Sequence, residues 1–252
     1  MIPWVLLRGL TRDSRHWGDF PSRLRAAVGD AELVALDLPG NGAMNRLASP
    51  LQVEAMAEWC RGELARRGLR PPYRVVAMSL GAMVTASWAL SHPEELAGCV
   101  LINTSLRPSP FYWRLQPPNY APFLALMLFG GRAESWEHVI FRATSNRPEL
   151  AGEILPVWVA WYRRYPVSRA NALRQIFAAW RYGPPKARPK PPILLLASTR
   201  DCLVDVRCSR ELAARWGVPL VEHPTAGHDL PLDDGQWLAD QVAVWLAAER
   251  GA

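Results

Sequence analysis

Residues 74–83 constrain the fold more than any other stretch, because a single serine lies between a strand pattern and a helix pattern. Before Ser79 the chain is apolar and β-branched, as in a strand covered on both faces, and after Gly81 it is apolar at helical density. Ala77 and Gly81 stand two positions before and after Ser79, and small residues there let strand and helix pack around a strained, exposed serine. The alternative is a serine that caps an ordinary helix.

Two later loops carry an acid and a base in a suggestive order. Asp201 follows the apolar run 193–197, and His228 follows a second strand pattern at 218–222. Because side chains that follow parallel strands meet at the carboxyl edge of a sheet, both are expected near Ser79. A serine, an acid and a histidine that meet in this way are the residue types of nucleophilic catalysis by a serine.

Each of these two residues has a rival nearby. Asp205 lies in the same loop as Asp201, but Asp201 follows the strand end directly. His223 precedes His228, but it lies at a strand end and lacks the adjacent flexible glycine that precedes His228. Asp201 and His228 are therefore the predicted acid and base.

With these motifs, and with the Asp-Leu-Pro-Gly-Asn-Gly turn at 37–42, nearly the whole chain resembles the α/β-hydrolase superfamily. It is also similar to the small esterases that cleave methyl esters of pimeloyl-acyl-carrier proteins, and to related carboxylesterases. The resemblance implies an α/β fold with a mostly parallel, doubly wound sheet. It also implies hydrolysis of an ester or thioester by Ser79, His228 and Asp201. Since the chain begins with the strand before the oxyanion loop, the first two strands of the larger fold are expected to be missing.

The loop after the first strand departs from the family pattern, because Arg8-Gly9 stands where members usually carry His-Gly. The resemblance places an oxyanion hole at the backbone amides of Leu10 and Leu80. The departure leaves two roles open for Arg8, contact with an acidic substrate or bracing of the loop. Gly9 could also serve only to allow a tight turn.

The composition changes at residue 106 and again near 190. Residues 106–190 hold 15 of the 24 aromatic residues, 13 of the 29 lysines and arginines, and 4 of the 23 acidic residues. We therefore predict a core at 1–105 and 191–252 with an inserted helical cap at 106–190. Phe111, Tyr112 and Trp113 are the predicted lining of an apolar substrate pocket under the cap.

The positive charge of the predicted cap has two interpretations. It could attract an ester or thioester held by an acidic acyl carrier or beside an anionic head group, through Arg163, Arg164, Arg169 and Arg174. It could equally be the solvated face of an aromatic cap, with the aromatic residues forming the cap's own core.

The remaining sequence features exclude several classes of protein. No apolar run reaches membrane-spanning length, and the first ten residues lack the features of a signal peptide. Four cysteines without metal-ligand spacing predict reduced thiols in a cytoplasmic protein. No nucleic-acid motif accompanies the sequence pI of about 9.5. The predicted reaction requires no metal or organic cofactor, and the alternative is a binding or sensing protein on a hydrolase scaffold.

Overall fold

The structure is a computed structural model that describes residues 2–29, 31–183 and 187–251. Its central feature is one sheet whose strands come from apolar segments of four to seven residues. The strands are β1 (Trp4–Leu7), β2 (Leu33–Leu36), β3 (Tyr73–Met78), β4 (Leu96–Ile102), β5 (Ile193–Ser198) and β6 (Leu220–His223).

The sheet has the order β2-β1-β3-β4-β5-β6, and every pairing between these strands is parallel. Side chains along a strand point alternately to opposite faces. Accordingly Val75 and Ala77 belong to one hydrophobic cluster, whereas Val76 and Met78 belong to another on the opposite face. Both faces are buried, which explains the continuous apolar runs in the sequence.

Helices cover both faces of the sheet. The helices that cover it are α1 (Phe20–Val28), α2 (Val53–Arg66), α3 (Leu80–Ser91), α9 (Arg207–Trp216) and α10 (Leu230–Gly251), the last kinked at Asp234. Apolar residues of α2, α3 and α9 belong to the first cluster, and those of α1 and α10 to the second. The predicted doubly wound α/β architecture is confirmed.

Among the described residues, five further α-helices lie between β4 and β5 in the chain. We call residues 106–190 the insertion. Its helices are α4 (Phe111–Arg114), α5 (Tyr120–Phe129), α6 (Ala133–Thr144), α7 (Ala151–Arg164) and α8 (Arg169–Arg181). Met1, Asp30, residues 184–186 and Ala252 fall within the predicted domain ranges but lie outside the described residues. Among the described helices, none has the length and apolar character needed to cross a membrane.

Candidate active site

Ser79 occupies the bend between β3 and α3. Its backbone lies at φ 54° and ψ −116°, a conformation with positive φ that L-residues rarely adopt. The bend is fixed on both sides, since Ser79 N donates to Ile102 O at 2.9 Å and Thr104 Oγ1 donates to Ser79 O at 3.1 Å. Surrounding structure thus maintains the strained backbone of this serine.

Two glycines allow neighbouring segments to approach the bend. A Cβ on Gly81 would lie 2.5 Å from Leu7 O and 2.6 Å from Arg8 O, so no larger residue fits there without moving backbone. A Cβ on Gly9 would lie 3.0 Å from the Cβ of Ser79. The loop after β1 therefore passes directly beside the serine, as an oxyanion loop must.

His228 and Asp201 form a buried pair. Their side chains are 4% and 2% exposed, and His228 Nδ1 lies 2.7 Å from Asp201 Oδ2. The other carboxylate oxygen, Oδ1, accepts from the amides of Leu203 and Val204 at 2.7 and 2.9 Å. Because both oxygens of Asp201 are engaged, the carboxylate is held in one orientation toward the imidazole.

The rival residues have other partners. Asp205 accepts from the amide and the guanidinium of Arg207, which holds the pKa of Asp205 below its usual range. His223 Nε2 lies 3.2 Å from Asp234 Oδ2, and His223 Nδ1 accepts from the Ala226 amide. Within the described parts of the chain, His228 lines the cavity at Ser79 and His223 does not.

Asn103 is a site residue that sequence reasoning missed. It follows β4 with φ 45°, and its Nδ2 donates to His228 O at 2.8 Å and to Ser198 Oγ at 3.1 Å. Its Oδ1 accepts from Ser198 N at 2.8 Å. Asparagine tolerates positive φ better than most residues, and its position directly after a strand was the available signal. Asn103 thereby joins the end of β5 to the histidine loop.

The amides of Leu10 and Leu80 are available as donors. Both residues line the cavity with Ser79 and His228, and within the described residues neither N–H has a hydrogen-bond acceptor. Leu80 begins α3, where the first amides of a helix have no intrahelical partner. Two free peptide donors beside a serine match the requirement of an oxyanion hole.

The cavity has a volume of about 220 Å³. Most of its lining is apolar, and most of the apolar residues come from the insertion, including Phe123, Met127 and Ile176. Of the three predicted lining residues, Phe111 contributes to the cavity. Tyr112 is 56% exposed, and the Trp113 ring lies under the Arg207 guanidinium at 4.1 Å. Successive helical residues point about 100° apart, so three in a row cannot face one cavity.

Arg8 braces the histidine loop. Its Nη1 and Nη2 donate to the two carboxylate oxygens of Asp229, at 3.0 and 2.6 Å, in the bidentate geometry typical of arginine. Burial alone would raise the pKa of Asp229, but the nearby Arg8 guanidinium holds it below its usual value. Because Asp229 directly follows His228, the pair connects the loop after β1 to the catalytic-base candidate.

Replacing Arg8 with histidine, the residue usual in the family pattern, is expected to lower the free energy of unfolding by about 3–5 kcal/mol. Imidazole cannot make two parallel N–H bonds, so Asp229 would remain buried without an equivalent partner. Urea denaturation measures the change. The Arg8→Leu/Asp229→Leu double variant removes both charges and should recover most of the loss. An Arg8→His variant as stable as the wild type would contradict the bracing role.

The fold and this arrangement define the class of protein. The model of the Alpha/beta hydrolase family matches residues 4–241, and the chain belongs to that family. Its activity is accordingly that of a hydrolase.

The individual proteins that this chain resembles share less than a third of its residues. The chain is 27% identical over 270 residues to a proposed carbamate hydrolase, RutD, of Klebsiella pneumoniae (strain 342), covering 98% of this chain and 96% of the relative. An enol-lactonase from Burkholderia xenovorans LB400 superposes with a TM-score of 0.80 at 18% sequence identity, and the match covers 98% of this chain and 92% of the lactonase chain. A thermophilic esterase from Thermogutta terrifontis superposes with a TM-score of 0.73 at 19% sequence identity, and the match covers 98% of this chain and 90% of the esterase chain. The two structures establish likeness of fold.

Proposed function

We propose that the protein is a serine hydrolase that cleaves a carboxylic ester or thioester with an apolar acyl chain. The observation that supports this most strongly is the buried His228–Asp201 pair at 2.7 Å, whose histidine lines the same apolar cavity as the strained Ser79. A serine hydroxyl is a weak nucleophile and requires an adjacent base. His228 supplies that base through Nε2, while the Asp201 carboxylate binds Nδ1 and orients the imidazole.

Acylation uses these groups in sequence. Ser79 Oγ attacks the carbonyl carbon of the substrate while His228 Nε2 accepts the hydroxyl proton, and Asp201 stabilises the imidazolium. The carbonyl oxygen becomes negative and accepts from the Leu10 and Leu80 amides, each such donor contributing about 2.7–4 kcal/mol. Collapse of the intermediate then expels the alcohol or thiol, which takes the proton from His228.

Deacylation repeats the same proton transfers with water. His228 removes a proton from a water molecule, whose oxygen attacks the acyl carbon of the Ser79 ester. Collapse of the second intermediate returns the proton to Ser79 Oγ and releases the carboxylic acid. The proposed catalytic residues are thus restored to their starting state.

We propose that the insertion acts as the cap of this cavity, because it contributes most of the apolar residues that line it. Delivery by an acidic acyl carrier has weaker support. Arg163 pairs with Glu134, Arg169 donates to Met127 O and Leu128 O, and Arg174 donates to Ser49 O. Internal contacts therefore engage much of the predicted anion-binding patch.

The alternative of a ligand-sensing protein has less support than hydrolysis. Its main argument is that Arg8 replaces the histidine usual in the family pattern, and the ion pair with Asp229 gives Arg8 a structural role. Cytoplasmic location remains a prediction, consistent with four free cysteines, of which Cys60, Cys99 and Cys208 are buried.

RutD is named for carbamates, whose carbonyl carbon is open to the same attack, so a carbamate belongs in any substrate survey.

The direct test is covalent labelling with a serine-directed fluorophosphonate, followed by peptide mass spectrometry. We expect the label on Ser79 and loss of p-nitrophenyl hexanoate hydrolysis in proportion to labelling. The Ser79→Ala variant should take up no label at this peptide. Hydrolysis that survives complete labelling of Ser79, or label on another residue alone, would refute the proposed mechanism.

A further inference from the structure

Helix α5 carries no charged side chain, yet most of it faces solvent. All ten of its residues are apolar or aromatic, and only Leu126 is buried. Leu124 and Leu128, one turn apart, are exposed, whereas Phe123 and Met127, also one turn apart, line the cavity. A helix that is apolar on every side is normally covered on every side. The outer side of α5 is therefore expected to be covered by something other than water.

Helices α4 and α8 extend this exposed apolar surface. Nine of the thirteen large exposed apolar side chains in the described residues lie on α4, α5 and α8, so they are concentrated rather than scattered. The three helices touch one another, because the Phe111 and Tyr120 rings are 5.6 Å apart and Arg114 donates to Trp180 O. We call the apolar rim the exposed side chains of Phe111, Leu124, Leu128, Phe129, Phe177 and Trp180.

The apolar rim continues into the cavity. Phe111 and Trp180 are 48% and 53% exposed, and both also line the cavity, which places them at its mouth. An apolar molecule held against the rim can therefore enter the cavity along apolar side chains, without an intervening layer of water.

Arginines beside the rim lack acidic partners. Arg181 packs over the Phe177 ring at 5.2 Å, and Arg169 donates to carbonyl oxygens of α5. Arg132 follows Phe129 by three residues, and its side chain has no hydrogen bond or ion pair within the described parts of the chain. Residues 107–132 and 169–190 contain nine lysines and arginines and no aspartate or glutamate. The positive charge beside the rim is thus not neutralised by neighbouring carboxylates.

This combination fits a lipid surface better than other occupants. Exposed apolar side chains flanked by lysines and arginines are typical of helices that lie in the interface of an anionic membrane. At ten residues, α5 is about 15 Å long and too short to cross hydrocarbon about 30 Å thick. A second copy packed symmetrically on the rim would bring the same arginines of both chains together, and like charges repel. An acidic carrier protein would explain the arginines but not the apolar surface.

We propose that the apolar rim docks on the surface of an anionic lipid bilayer. Helix α5 lies in the interfacial region, and Arg132, Arg169 and Arg181 face the anionic head groups. A second part rests on the proposed function: the substrate is an apolar ester that passes from the lipid surface into the cavity.

Flotation with lipid vesicles tests the docking directly. We expect the wild type to bind vesicles of phosphatidylglycerol at least about ten-fold more tightly than vesicles of phosphatidylcholine. Binding to phosphatidylglycerol should weaken as salt is raised, because ions screen the arginines from the head groups. The Ser79→Ala variant should bind as the wild type does, so that docking is measured independently of catalysis.

The apolar contribution is tested by the Leu128→Asp/Phe129→Asp double variant. Binding to phosphatidylglycerol should fall by about 100-fold or more, because two large apolar side chains no longer enter the interface. Both residues lie outside the described lining of the cavity. Val244→Asp is the matched control, since Val244 is 66% exposed on α10, and it should keep wild-type binding. Circular dichroism checks that each variant is folded.

The charged contribution is tested by the Arg132→Gln/Arg181→Gln double variant. Binding to phosphatidylglycerol should fall by about 25-fold, or about five-fold for each charge removed. The Arg23→Gln/Arg210→Gln control removes the same net charge from core arginines that pair with Asp19 and Glu222. This control should bind as the wild type does, which separates the arginines beside the rim from a general effect of net charge.

Each other occupant gives a different result. A wild type that does not float with phosphatidylglycerol, or that binds both lipids equally, overturns the inference. Dimers without vesicle binding that become monomers in Leu128→Asp/Phe129→Asp would assign the rim to a second copy, and binding to an acidic acyl carrier protein in place of vesicles would assign it to a protein. Hydrolysis of p-nitrophenyl hexanoate without docking leaves the proposed function standing, whereas docking without ester hydrolysis removes the proposed function and retains the lipid surface.

Discussion

The Ser79→Ala variant is expected to lose ester hydrolysis by a factor on the order of 10⁴ or more, with the fold intact. Without the hydroxyl no acyl-enzyme forms, and any residual rate comes from the oxyanion donors and binding alone. The Ser79→Ala/His228→Ala double variant should be little worse than the more impaired single variant, because the members of a triad act as a unit.

Stopped-flow or plate-based assay of p-nitrophenyl hexanoate measures this loss, with circular dichroism as the check on folding. Ser87→Ala provides the matched control, since Ser87 is the next serine along α3 and is also buried. It should stay within a few-fold of the wild-type rate. Wild-type turnover in Ser79→Ala would exclude the serine as nucleophile.

Replacing Asp201 with asparagine is expected to lower kcat by about 10⁴-fold. An amide at this position would favour the imidazole tautomer with its proton on Nε2, which cannot accept the Ser79 proton, and would no longer stabilise the imidazolium. The size of the loss should persist across the pH range in which the protein stays folded.

Asp205→Asn is the matched control for the acid. Asp205 lies in the same loop, but its carboxylate binds Arg207 at 2.6 Å. Its replacement should leave kcat within a few-fold of wild type. If Asp205→Asn were the more damaging change, the acid would have to be reassigned to Asp205.

Local patterns account for the parts of the site that could be predicted. The strand-serine-helix stretch predicted the bend at Ser79, because β3 and α3 differ sharply in their residue types and Gly81 has no room for a Cβ. The parallel sheet then places Asp201 and His228 at the same edge as Ser79. A position directly after a strand is enough for such a prediction, because all strands of a parallel sheet end at the same edge and the residues that follow them lie close together.

Long-range polar pairs could not be predicted in this way. Arg8 and Asp229 are 221 residues apart in the sequence, and Arg12 and Glu137 are 125 apart. Each residue alone is typical of a solvated surface, and only the fold reveals that its partner is buried beside it. Contact with an acidic substrate therefore stayed open for Arg8 until its partner was known.

Helix α8 shows the same limit. Apolar residues and arginines dominate its sequence, which is typical of a helix with an apolar inner face and a solvated arginine face, yet the polar residues Asn171 and Gln175 are buried. Gln175 Nε2 donates to Asn41 Oδ1 at 2.7 Å, and Asn171 Oδ1 accepts from Ser49 N at 2.9 Å. Periodicity indicates which side of a helix faces inward, but not whether that side meets apolar or polar groups.

Because of these bonds, the helices of the insertion differ in how firmly they are attached to the core. Helix α8 is fixed to the core by buried side-chain bonds, and α6 by the Arg12–Glu137 pair. Helix α5 has only Leu126 buried, and its last residue, Phe129, is 85% exposed. Local opening requires least free energy where few buried contacts are broken. Amide hydrogens of α5 should therefore exchange with solvent well before those of α8, and hydrogen–deuterium exchange resolved by peptide measures the difference.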